Sequence, residues 1–388
     1  MIVPSGKLRI LQLAAPSAVG GLERVVQALA IGHHERGHDV CVVAIVDMGA
    51  AQDHPFLAPL HDHGVPVRVV EVRPRHYLAE RRAVSAVLDD FQPDVLHSHG
   101  YRPDVLDAGL AKRRRIPIVT TLHGSSRMGG LSTLHELVQL AVLRRFDAVV
   151  AVSKPLQREL SGPWASRDRV HFIPNAWTGR PPALDRAAAR RRLRVPADET
   201  VVAWVGRLIP IKAAEIFLHA IALSPRAAWK ASIVGDGPRR VALERLANRL
   251  GISDRVRFHG NVFDIAQSFR AFDAFVLSSR SEGTPVVLFE AMAAGVPIIA
   301  TDVGGVRDVL GDDGGVLVPS QDPNAMAAAI AATLTDTGAA ADRTASASRR
   351  LLERYAVGPW LEAHETLYRS LRARNTAHSR SHDQRAAP

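Results

Sequence analysis

The sequence predicts an α/β protein with two Rossmann-like domains that face a central cleft. Three observations support this prediction. The chain has 388 residues, more than one ordinary hydrophobic core organises. In both halves, short apolar runs alternate with stretches of helical spacing, which is the pattern of parallel sheets covered by helices. A segment rich in Pro, Ala and Arg at 179–198 separates the two series.

The first series forms the N-terminal domain, which we place at 1–178. It opens with the strand LRILQLA, a loop that ends in Gly20 and Gly21, and a helix whose apolar residues recur from Leu22 to Ala30. Further strands are predicted by DVCVVAIV, PVRVVEV, DVLHSHG, IPIVTTLHG, FDAVVAVS and RVHFIPN. The two glycines therefore follow the carboxyl end of a parallel strand, where open sheets bind ligands.

The second series forms the C-terminal domain, which we place at 199–358, after a linker at 179–198 with a short basic helix. Its strands are predicted by TVVAWVGRL, KASIVGDG, RVRFHGN, FDAFVLSS, VPIIAT and GGVLVP. Pro359 suits the first turn of a helix, and we expect this helix to span 359–375 and to cross back to the N-terminal domain. The polar tail at 376–388 is predicted to be disordered.

The composition indicates a folded protein, with 47% hydrophobic and 23% charged residues. The single cysteine, Cys41, excludes an internal disulfide and a multi-cysteine zinc site, and its apolar run predicts a buried structural thiol. No run reaches about 18 apolar residues, so we expect no membrane-spanning helix. Arg9 and Gln12 interrupt the first apolar stretch, which we interpret as a core strand rather than a signal peptide.

The formal net charge of +10 favours an acidic partner. Basic clusters lie at 73–82, 112–115 and 186–194, and each is explained equally by a solvated face or by contact with an anionic surface. Aromatic residues make up only 5% and are sparse near these clusters. We therefore expect no nucleic-acid partner.

The segment SEGTPVVLFEAMAAGVPIIATDVGG places Glu282 in a loop and Glu290 in the helix that begins near Val286. The free N–H groups at such a helix start suit a phosphate. Glu290 could accept hydrogen bonds from ribose hydroxyls, and Glu282 from those of a second polyol. The alternative is an exposed loop acid together with a buried acid that caps nearby amides.

Two cations, Arg207 and Lys212, follow the strand of TVVAWVGRL. A guanidinium and an ammonium at the carboxyl edge of a sheet suit a diphosphate, although each alone could be an ordinary surface charge. The GDGP turn follows the next strand. Gly20 and Gly21 would permit close approach of the backbone to a bound anion.

Taken in order, the motifs GG, HSHG, TLHG, VSK, IPNAW, VGRL with Lys212, IVGDGP and the long E-x7-E segment resemble the retaining, GT-B-type glycosyltransferases of family 4 (glycosyl transferases group 1). The resemblance extends from about Leu8 to Trp360. It implies that Arg207 and Lys212 bind the donor diphosphate, Glu290 the ribose and Glu282 the transferred sugar. The following residues would complete the site by the same resemblance: Gly20, Gly21, Gly283, Thr284, Pro285, Val286 and Val287 around the donor, and His123 beside the transferred sugar.

The resemblance also implies that no metal ion and no cofactor is needed, since the nucleotide-sugar is a substrate. His97 and His99 are then expected to be structural or to face the acceptor. The sequence departs from the family at Ala213, where relatives usually have glycine, at 175–178, where an asparagine-glycine turn is usual, and at Asp308, often glutamate. None of these changes removes a diphosphate ligand.

The implied reaction is a retaining hexosyl transfer from a nucleoside-diphosphate sugar to a glycan or polyprenyl-phosphate-linked acceptor, in surface polysaccharide or glycoconjugate biosynthesis. Departure of the diphosphate with same-face attack is favoured, and a covalent route through Glu282 stays open. The alternative is a sugar-nucleotide epimerase or hydrolase on the same scaffold. We expect a cytoplasmic protein, peripheral on the inner face of an anionic membrane.

Overall fold

A computed structural model of the chain describes residues 6–17, 20–123, 131–162, 164–179, 181–225 and 229–385. The chain divides into two compact units, Met1–Asn175 with Val357–Pro388, and Ala176–Ala356. The first unit holds a sheet of seven strands and the second a sheet of six, and all strand pairs within the sheets are parallel. The predicted α/β class is thus confirmed.

Unit 1 has the strand order β3-β2-β1-β4-β5-β6-β7. Its elements are β1 (Arg9–Ala14), α1 (Gly21–Glu35), β2 (Asp39–Asp47), α2 (Ala58–Asp62), β3 (Val67–Val72), α3 (Tyr77–Phe91), β4 (Val95–His99), α4 (Tyr101–Leu106), α5 (Gly109–Lys112), β5 (Ile118–Leu122), α6 (Leu131–Val142), β6 (Ala148–Ala151), α7 (Lys154–Leu160) and β7 (Val170–Phe172), with short 3-10 helices at Leu143–Arg145 and Arg167–Arg169.

Unit 2 has the strand order β10-β9-β8-β11-β12-β13. Its elements are α8 (Arg186–Leu193), β8 (Val201–Val205), α9 (Ala214–Leu223), β9 (Lys230–Val234), α10 (Arg240–Arg249), β10 (Val256–Gly260), β11 (Ala274–Leu277), α11 (Val286–Ala294), β12 (Ile298–Thr301), α12 (Val306–Leu310), β13 (Val316–Val318), α13 (Pro323–Thr335) and α14 (Thr337–Arg354), with 3-10 helices at Pro210–Lys212 and Ile265–Ala271. The final helix, α15 (Val357–Arg385), belongs to unit 1.

Each of the apolar runs in the sequence contains one observed strand. The central strands are buried on both faces because helices cover both sides of each sheet, whereas the edge strands β3 and β10 are partly exposed. In unit 2, for example, Ala203, Phe275 and Leu277 pack in one core with Phe289 of α11, while Val202, Trp204 and Val276 pack in a second core with Phe217 of α9. The central strands can therefore carry continuous apolar runs, which is why they are readily predicted.

The structure differs from the predicted linker at 179–198. The basic helix is present as α8, but its Ala189 and Leu193 are buried in the core of unit 2. Arg190 is also buried and is held by Asp273 at 2.9 Å and by the carbonyl of Ala271 at 3.0 Å. The apolar face and this paired arginine make the segment part of unit 2, which begins at Ala176.

The structure also differs from the predicted end of the chain. Helix α15 begins at Val357 and continues to Arg385, through most of the tail that was expected to be disordered at 376–388. Pro359 lies in its first turn, where a missing N–H costs nothing. No proline or glycine occurs between Pro359 and Arg385 to stop the helix. Among the described residues, no helix is both long enough and apolar enough to cross a membrane.

Candidate functional site

The predicted cationic and acidic residues of unit 2 lie at the carboxyl edge of its sheet. Strand β8 pairs with β9 on one side and with β11 on the other. From β8 the chain first adds strands toward one edge of the sheet, β9 and β10, and then toward the other, β11 to β13. Arg207 and Lys212 follow β8, and Glu282 follows β11. This is the topological switch point, where open α/β sheets leave a crevice for a ligand.

Lys212 and Glu282 form an ion pair at this edge. Lys212 Nζ donates to Glu282 Oε1 at 2.6 Å, and Ser279 Oγ donates to the same oxygen at 2.6 Å. The side chain of Glu282 is 8% exposed and that of Lys212 is 25% exposed. No hydrogen bond to Glu282 Oε2 is present within the described parts of the chain. One carboxylate oxygen is therefore fixed by the protein, and the other can accept from a hydroxyl group.

The turn that carries Lys212 is fixed by Ser278. Trp204 Nε1 donates to Ser278 Oγ at 2.9 Å, and this hydroxyl donates to the carbonyl of Ala213 at 2.9 Å. Ala213 has φ 48° and ψ 42°, a left-handed conformation that favours glycine. Ala213 stands where relatives usually have glycine. The helix start is retained there, because alanine adopts the backbone conformation that glycine adopts more easily.

Arg280 ties the same turn to the loop after β11. Its N–H donates to the carbonyl of Ile211 at 2.8 Å, and its guanidinium donates to Glu215 Oε1 at 2.7 Å. Arg280 also reaches the carbonyl of Pro210. Three consecutive residues, 278–280, thus hold the turn or the carboxylate of Glu282. The relative position of Lys212 and Glu282 is set by backbone contacts as well as by their own ion pair.

Glycines allow the neighbouring loops to approach this turn closely. A Cβ on Gly235 would lie 2.0 Å from the carbonyl oxygen of Gly206, and one on Gly237 would lie 2.6 Å from that of Leu208. Leu208 N–H donates to the carbonyl of Asp236 at 2.9 Å. The VGRL and VGDGP motifs are therefore two halves of one interlocked structure.

The segment 283–287 leads into α11, as predicted. Gly283, Thr284 and Pro285 are buried, Val286 and Val287 are half-buried, and Pro285 precedes the first helical residue. The N-cap residue, Pro285, makes no side-chain hydrogen bond to this helix N-terminus. Glu290 lies one turn into α11 and is 8% exposed. The N–H groups and dipole of the helix start suit an anion next to Glu282.

Arg207 is exposed directly after β8. No ion pair or side-chain hydrogen bond of Arg207 is present among the described residues. In unit 2, the structure thus brings together Lys212, Glu282 and the loop before α11, and it leaves the Arg207 guanidinium available to a ligand.

In unit 1, Gly20 and Gly21 lie at the start of α1, after β1. Gly20 has an extended backbone, with φ −176°, which any residue could adopt. Glycine is needed here because a Cβ would lie only 2.2 Å from Glu23 Oε2. Glu23 is buried, and its Oε1 accepts from the N–H and the hydroxyl of Ser17 at 2.8 and 2.7 Å. The glycine therefore lets a buried carboxylate fold back against the loop, and residues 18–19 of that loop lie outside the described residues.

His123 directly follows β5 and belongs to a cluster of imidazoles at the carboxyl edge of unit 1. Its ring lies 5.9 Å from that of His99, and its Nε2 is buried without a hydrogen-bond partner among the described residues. Burial, with a smaller contribution from His364, lowers the pKa of His123 to about 4. The imidazole is therefore neutral at pH 7 and can hydrogen-bond a sugar without carrying a charge.

His97 and His99 are buried, and each makes hydrogen bonds to other side chains of unit 1. His97 contacts Tyr368 Oη at 2.6 Å and Thr121 Oγ1 at 2.8 Å, and His99 Nε2 contacts Gln12 Oε1 at 2.7 Å. Burial lowers the pKa of both histidines. The described residues include no group of three or more His, Cys, Asp or Glu side chains that could hold a metal ion.

Sequence reasoning missed several residues of these sites: Ser278, Ser279, Trp204, Arg280, Tyr368, His364 and Gln12. Ser279 and Arg280 lie inside the recognised motif, so their closeness to Glu282 was a usable signal. Tyr368 and His97 are 271 positions apart. No local pattern predicts such a contact.

The comparison with known families covers both units. The family model described as Glycosyltransferase Family 4 matches residues 19–177, and the model described as Glycosyl transferases group 1 matches residues 199–336. The D-inositol 3-phosphate glycosyltransferase of Xylanimonas cellulosilytica is 31% identical over 293 residues, which cover 70% of this chain and 69% of that protein. The putative teichuronic acid biosynthesis glycosyltransferase TuaC of Bacillus subtilis is 32% identical and is covered to 70%, with 69% of this chain.

A solved structure, Anabaena HepE in complex with UDP-glucose, has a TM-score of 0.80 to this chain at 26% identity. The superposition covers 93% of this chain and 99% of HepE. The fold similarity therefore extends over nearly the whole sequence.

Proposed function

The chain belongs to the group 1 glycosyltransferases of the family 4 type, and on that premise we propose that it transfers a hexosyl group, with retention, from a nucleoside-diphosphate sugar to a glycan or lipid-linked acceptor. The observation that carries this proposal is the placement of Lys212 and Glu282 on either side of the switch point, next to the start of α11. A nucleoside diphosphate offers the charges and hydroxyls that this arrangement can bind.

In the proposed reaction, Arg207 and Lys212 bind the diphosphate and stabilise the negative charge that grows on it as the sugar leaves. Oε2 of Glu282 accepts from a hydroxyl of the transferred sugar, while Lys212 and Ser279 hold Oε1. Glu290 accepts from the ribose, and neutral His123 hydrogen-bonds the sugar from unit 1. Gly20, Gly21 and the backbone of 283–287 complete the donor contacts.

UDP-sugars are the first donors to test, because HepE, at 26% identity, was solved with UDP-glucose. We further propose that no metal ion is required, so that transfer should continue in EDTA. The acceptor is proposed to be a glycan or a polyprenyl-phosphate-linked sugar at the inner face of a membrane.

The test measures the melting temperature with UDP, GDP, ADP and their sugar conjugates, because a ligand that binds the folded state raises it by mass action. Lys212→Ala and Glu290→Ala should weaken binding of the preferred nucleotide, by about 10- to 100-fold for the lysine. Lys230→Ala is the matched control, since Lys230 lies at the amino end of β9, on the opposite edge of the same sheet.

Product analysis tests the chemistry. Retention predicts that the anomeric configuration of the donor sugar is kept in the transferred sugar, which NMR of the product reads directly. Turnover of the donor without any acceptor, with formation of an epimer, would replace the proposal by the epimerase alternative. Absence of binding to every nucleotide in the wild-type protein would overturn it altogether.

A further inference from the structure

Exposed apolar side chains cluster on two adjacent loops of unit 1. Met48 follows β2 and is 56% exposed, and Tyr77 and Leu78 begin α3 after β3 and are 44% and 74% exposed. The loops are neighbours because Asp47 pairs with Val72 in the sheet and Met48 N–H donates to the Val72 carbonyl at 3.1 Å. Exposed apolar side chains on neighbouring loops are a feature of surfaces that bind a membrane or a macromolecule.

Arginines lie close in sequence to two of these apolar side chains, Tyr77 and Leu78. Arg73 and Arg75 lie in the loop before α3, Arg82 lies one turn after Leu78, and all three are exposed. No hydrogen bond or ion pair of these three guanidinium groups is present in the part of the chain that the structure describes. Of the nearby acids, Glu71 accepts from the N–H groups of Gly49 and Ala51, and Glu80 is buried against Arg102. Asp47, at the end of β2, and Asp53, in the loop that follows it, are exposed carboxylates.

The basic cluster at 112–115 differs from these arginines in its ion pairs and in its position on the sheet. Lys112 is paired with Asp147 at 3.1 Å, and Arg114 is paired with Asp89 at 2.6 Å. Residues 112–115 also precede β5, so they lie at the amino edge of the sheet, opposite to His123. The loop after β3 lies at the same carboxyl edge as His123, four strands away, or roughly 20 Å at ordinary strand spacing.

We propose that Met48 together with residues 73–82, named here the β3–α3 surface, docks the protein on an anionic lipid bilayer. The proposal rests on the proposed function, because it brings the carboxyl edge of unit 1 to the membrane from which a lipid-linked acceptor would come. The arginines face anionic headgroups, while Leu78, Met48 and the ring of Tyr77 enter the interfacial region.

The mixture of side chains is what selects a bilayer as the partner. An isolated phosphate would explain the arginines but not the exposed leucine and methionine beside them. A bilayer uses both, since the cationic and apolar contributions add to give stable peripheral binding where either alone is weak. The residues that precede β5 lack exposed apolar neighbours of this kind among the large exposed hydrophobic residues of the described chain.

The charge arm of the test compares two double variants by flotation with vesicles of phosphatidylglycerol and phosphatidylcholine in equal parts, and with phosphatidylcholine alone. Arg73→Gln with Arg82→Gln should weaken binding to the anionic vesicles by about 25-fold, at about fivefold for each arginine. Arg113→Gln with Arg145→Gln removes the same charge from exposed residues at the amino edge of the same sheet, and binding should change by less than about threefold. Equal losses in the two variants would mean that net charge alone drives binding, and would overturn the proposed location.

The apolar arm compares Leu78→Ser with Leu352→Ser, a leucine that is 66% exposed on α14 of unit 2. We expect about fivefold weaker vesicle binding for Leu78→Ser only. Equal affinity of the two variants would show that nothing inserts and would contradict a bilayer-docking surface. Loss of binding in free glycerol phosphate would assign the arginines to an isolated phosphate instead, and oligonucleotide binding with the same mutational pattern would assign them to nucleic acid.

Nucleotide binding is measured on every variant in parallel, which separates the two proposals. A wild-type protein that binds a nucleotide but not anionic vesicles refutes the docking surface and leaves the proposed function standing. A wild-type protein that binds anionic vesicles but no nucleotide refutes the proposed function and leaves the docking surface standing. The docking variants should retain wild-type nucleotide affinity, because none of the changed residues belongs to the donor site.

Discussion

The orientation of Glu282 depends on two donors, because Lys212 Nζ and Ser279 Oγ both reach the same carboxylate oxygen. If a donor phosphate draws Lys212 away from this carboxylate, Ser279 is the group that still holds it. Ser279 is fully buried, so its hydroxyl cannot be replaced by solvent at low cost. The serine is therefore a positioning residue for Glu282.

Ser279→Ala should lower kcat/KM about tenfold while the free energy of unfolding falls by about 2 kcal/mol, since a hydrogen bond to a charged group is lost. Ser224→Ala is the matched control: this buried hydroxyl donates to the Ala220 carbonyl at 2.9 Å, away from the carboxyl edge. Steady-state kinetics and urea unfolding are measured on both. Similar kinetics for the two variants would assign Ser279 a purely structural role.

At the scale of single residues, the sequence revealed which side chains were chemically suited and left their pairing open. Arg207, Lys212, Glu282 and Glu290 could be selected because a motif places them after strands of a parallel sheet. That Lys212 contacts Glu282 could not be predicted, since the two are 70 positions apart. The conformation of the turn at Ala213, supported by Ser278, decides that contact.

At the scale of elements, the loops after β11 and β12 are joined through Gly304. This residue has φ 52°, and a Cβ there would lie 1.8 Å from the carbonyl oxygen of Glu282. Gly305 N–H donates to the same carbonyl at 3.2 Å. The VGG at the end of the motif therefore supports the backbone of Glu282 from the neighbouring strand.

Gly304→Ala should lower the free energy of unfolding by more than about 2 kcal/mol, because the left-handed conformation alone costs about 1 to 2 kcal/mol and the loops must also separate. Gly338→Ala is the control, since its Cβ would meet its nearest atom, Asp336 Oδ1, at an ordinary 3.7 Å in α14. That variant should be neutral or stabilised by up to about 1 kcal/mol. Urea unfolding decides, and equal effects would contradict the close approach.

Elements were predictable from sequence wherever the signal was local. The strands could be found because continuous apolar runs end in turn residues. The packing of α8 into unit 2 could not be predicted from the sequence. Burial of Ala189 and pairing of Arg190 with Asp273 depend on a strand that lies far along the chain. For α15, contact of Tyr368 with His97 assigns the helix to unit 1, and this too is invisible to periodicity.

At the scale of the whole molecule, some of the basic residues are paired with carboxylates and others are exposed without such a partner among the described residues. Lys112, Arg114 and Arg190 contribute to the net charge of +10 but are engaged with carboxylates, whereas Arg73, Arg75 and Arg82 are exposed beside apolar side chains. Composition predicted that an acidic partner was favoured. Only the structure shows which arginines remain to meet one.

Histidines give unit 1 a distinctive dependence on pH. His33 is fully buried on α1, and neither ring nitrogen makes a hydrogen bond of ordinary geometry within the described residues. Burial, followed by the effects of His364 and His38, lowers its pKa from 6.5 to about 3. His97, His99, His123 and His364 of the same unit have lowered pKa values for the same main reason.

Because these pKa values are lowered by folding, the unfolded chain binds protons first as the pH falls below 6.5. The contribution of these neutral histidines to the stability of unit 1 is therefore complete above this pH and is lost between pH 6.5 and 3. For His33 alone the loss at pH 5 is about 2 kcal/mol. In unit 2, His259 has a comparably lowered pKa, of about 4. In unit 1, burial raises the pKa of Asp104 to about 6 and of Asp107 to about 8, and their proton uptake stabilises the fold as the pH falls. Because the buried histidines of unit 1 outnumber these two carboxyl groups, we expect unit 1 to open first in acid.

His33→Leu tests this account, because leucine fills a similar volume and cannot take up a proton. At pH 7.5 its free energy of unfolding should stay within about 1 kcal/mol of wild type, since the carbonyls of Leu29 and Leu361 lose only weak contacts with the ring. At pH 5 the variant should have lost about 2 kcal/mol less of its free energy of unfolding than wild type.

The measurement is urea unfolding at both pH values. Hydrogen exchange of β1 and β4, compared with that of β8 and β11, separates the two units. His61→Leu, an exposed histidine on α2 of the same unit, is the control. A pH dependence of His33→Leu that matches wild type, or earlier acid opening of unit 2, would contradict the assignment of acid sensitivity to the buried imidazoles.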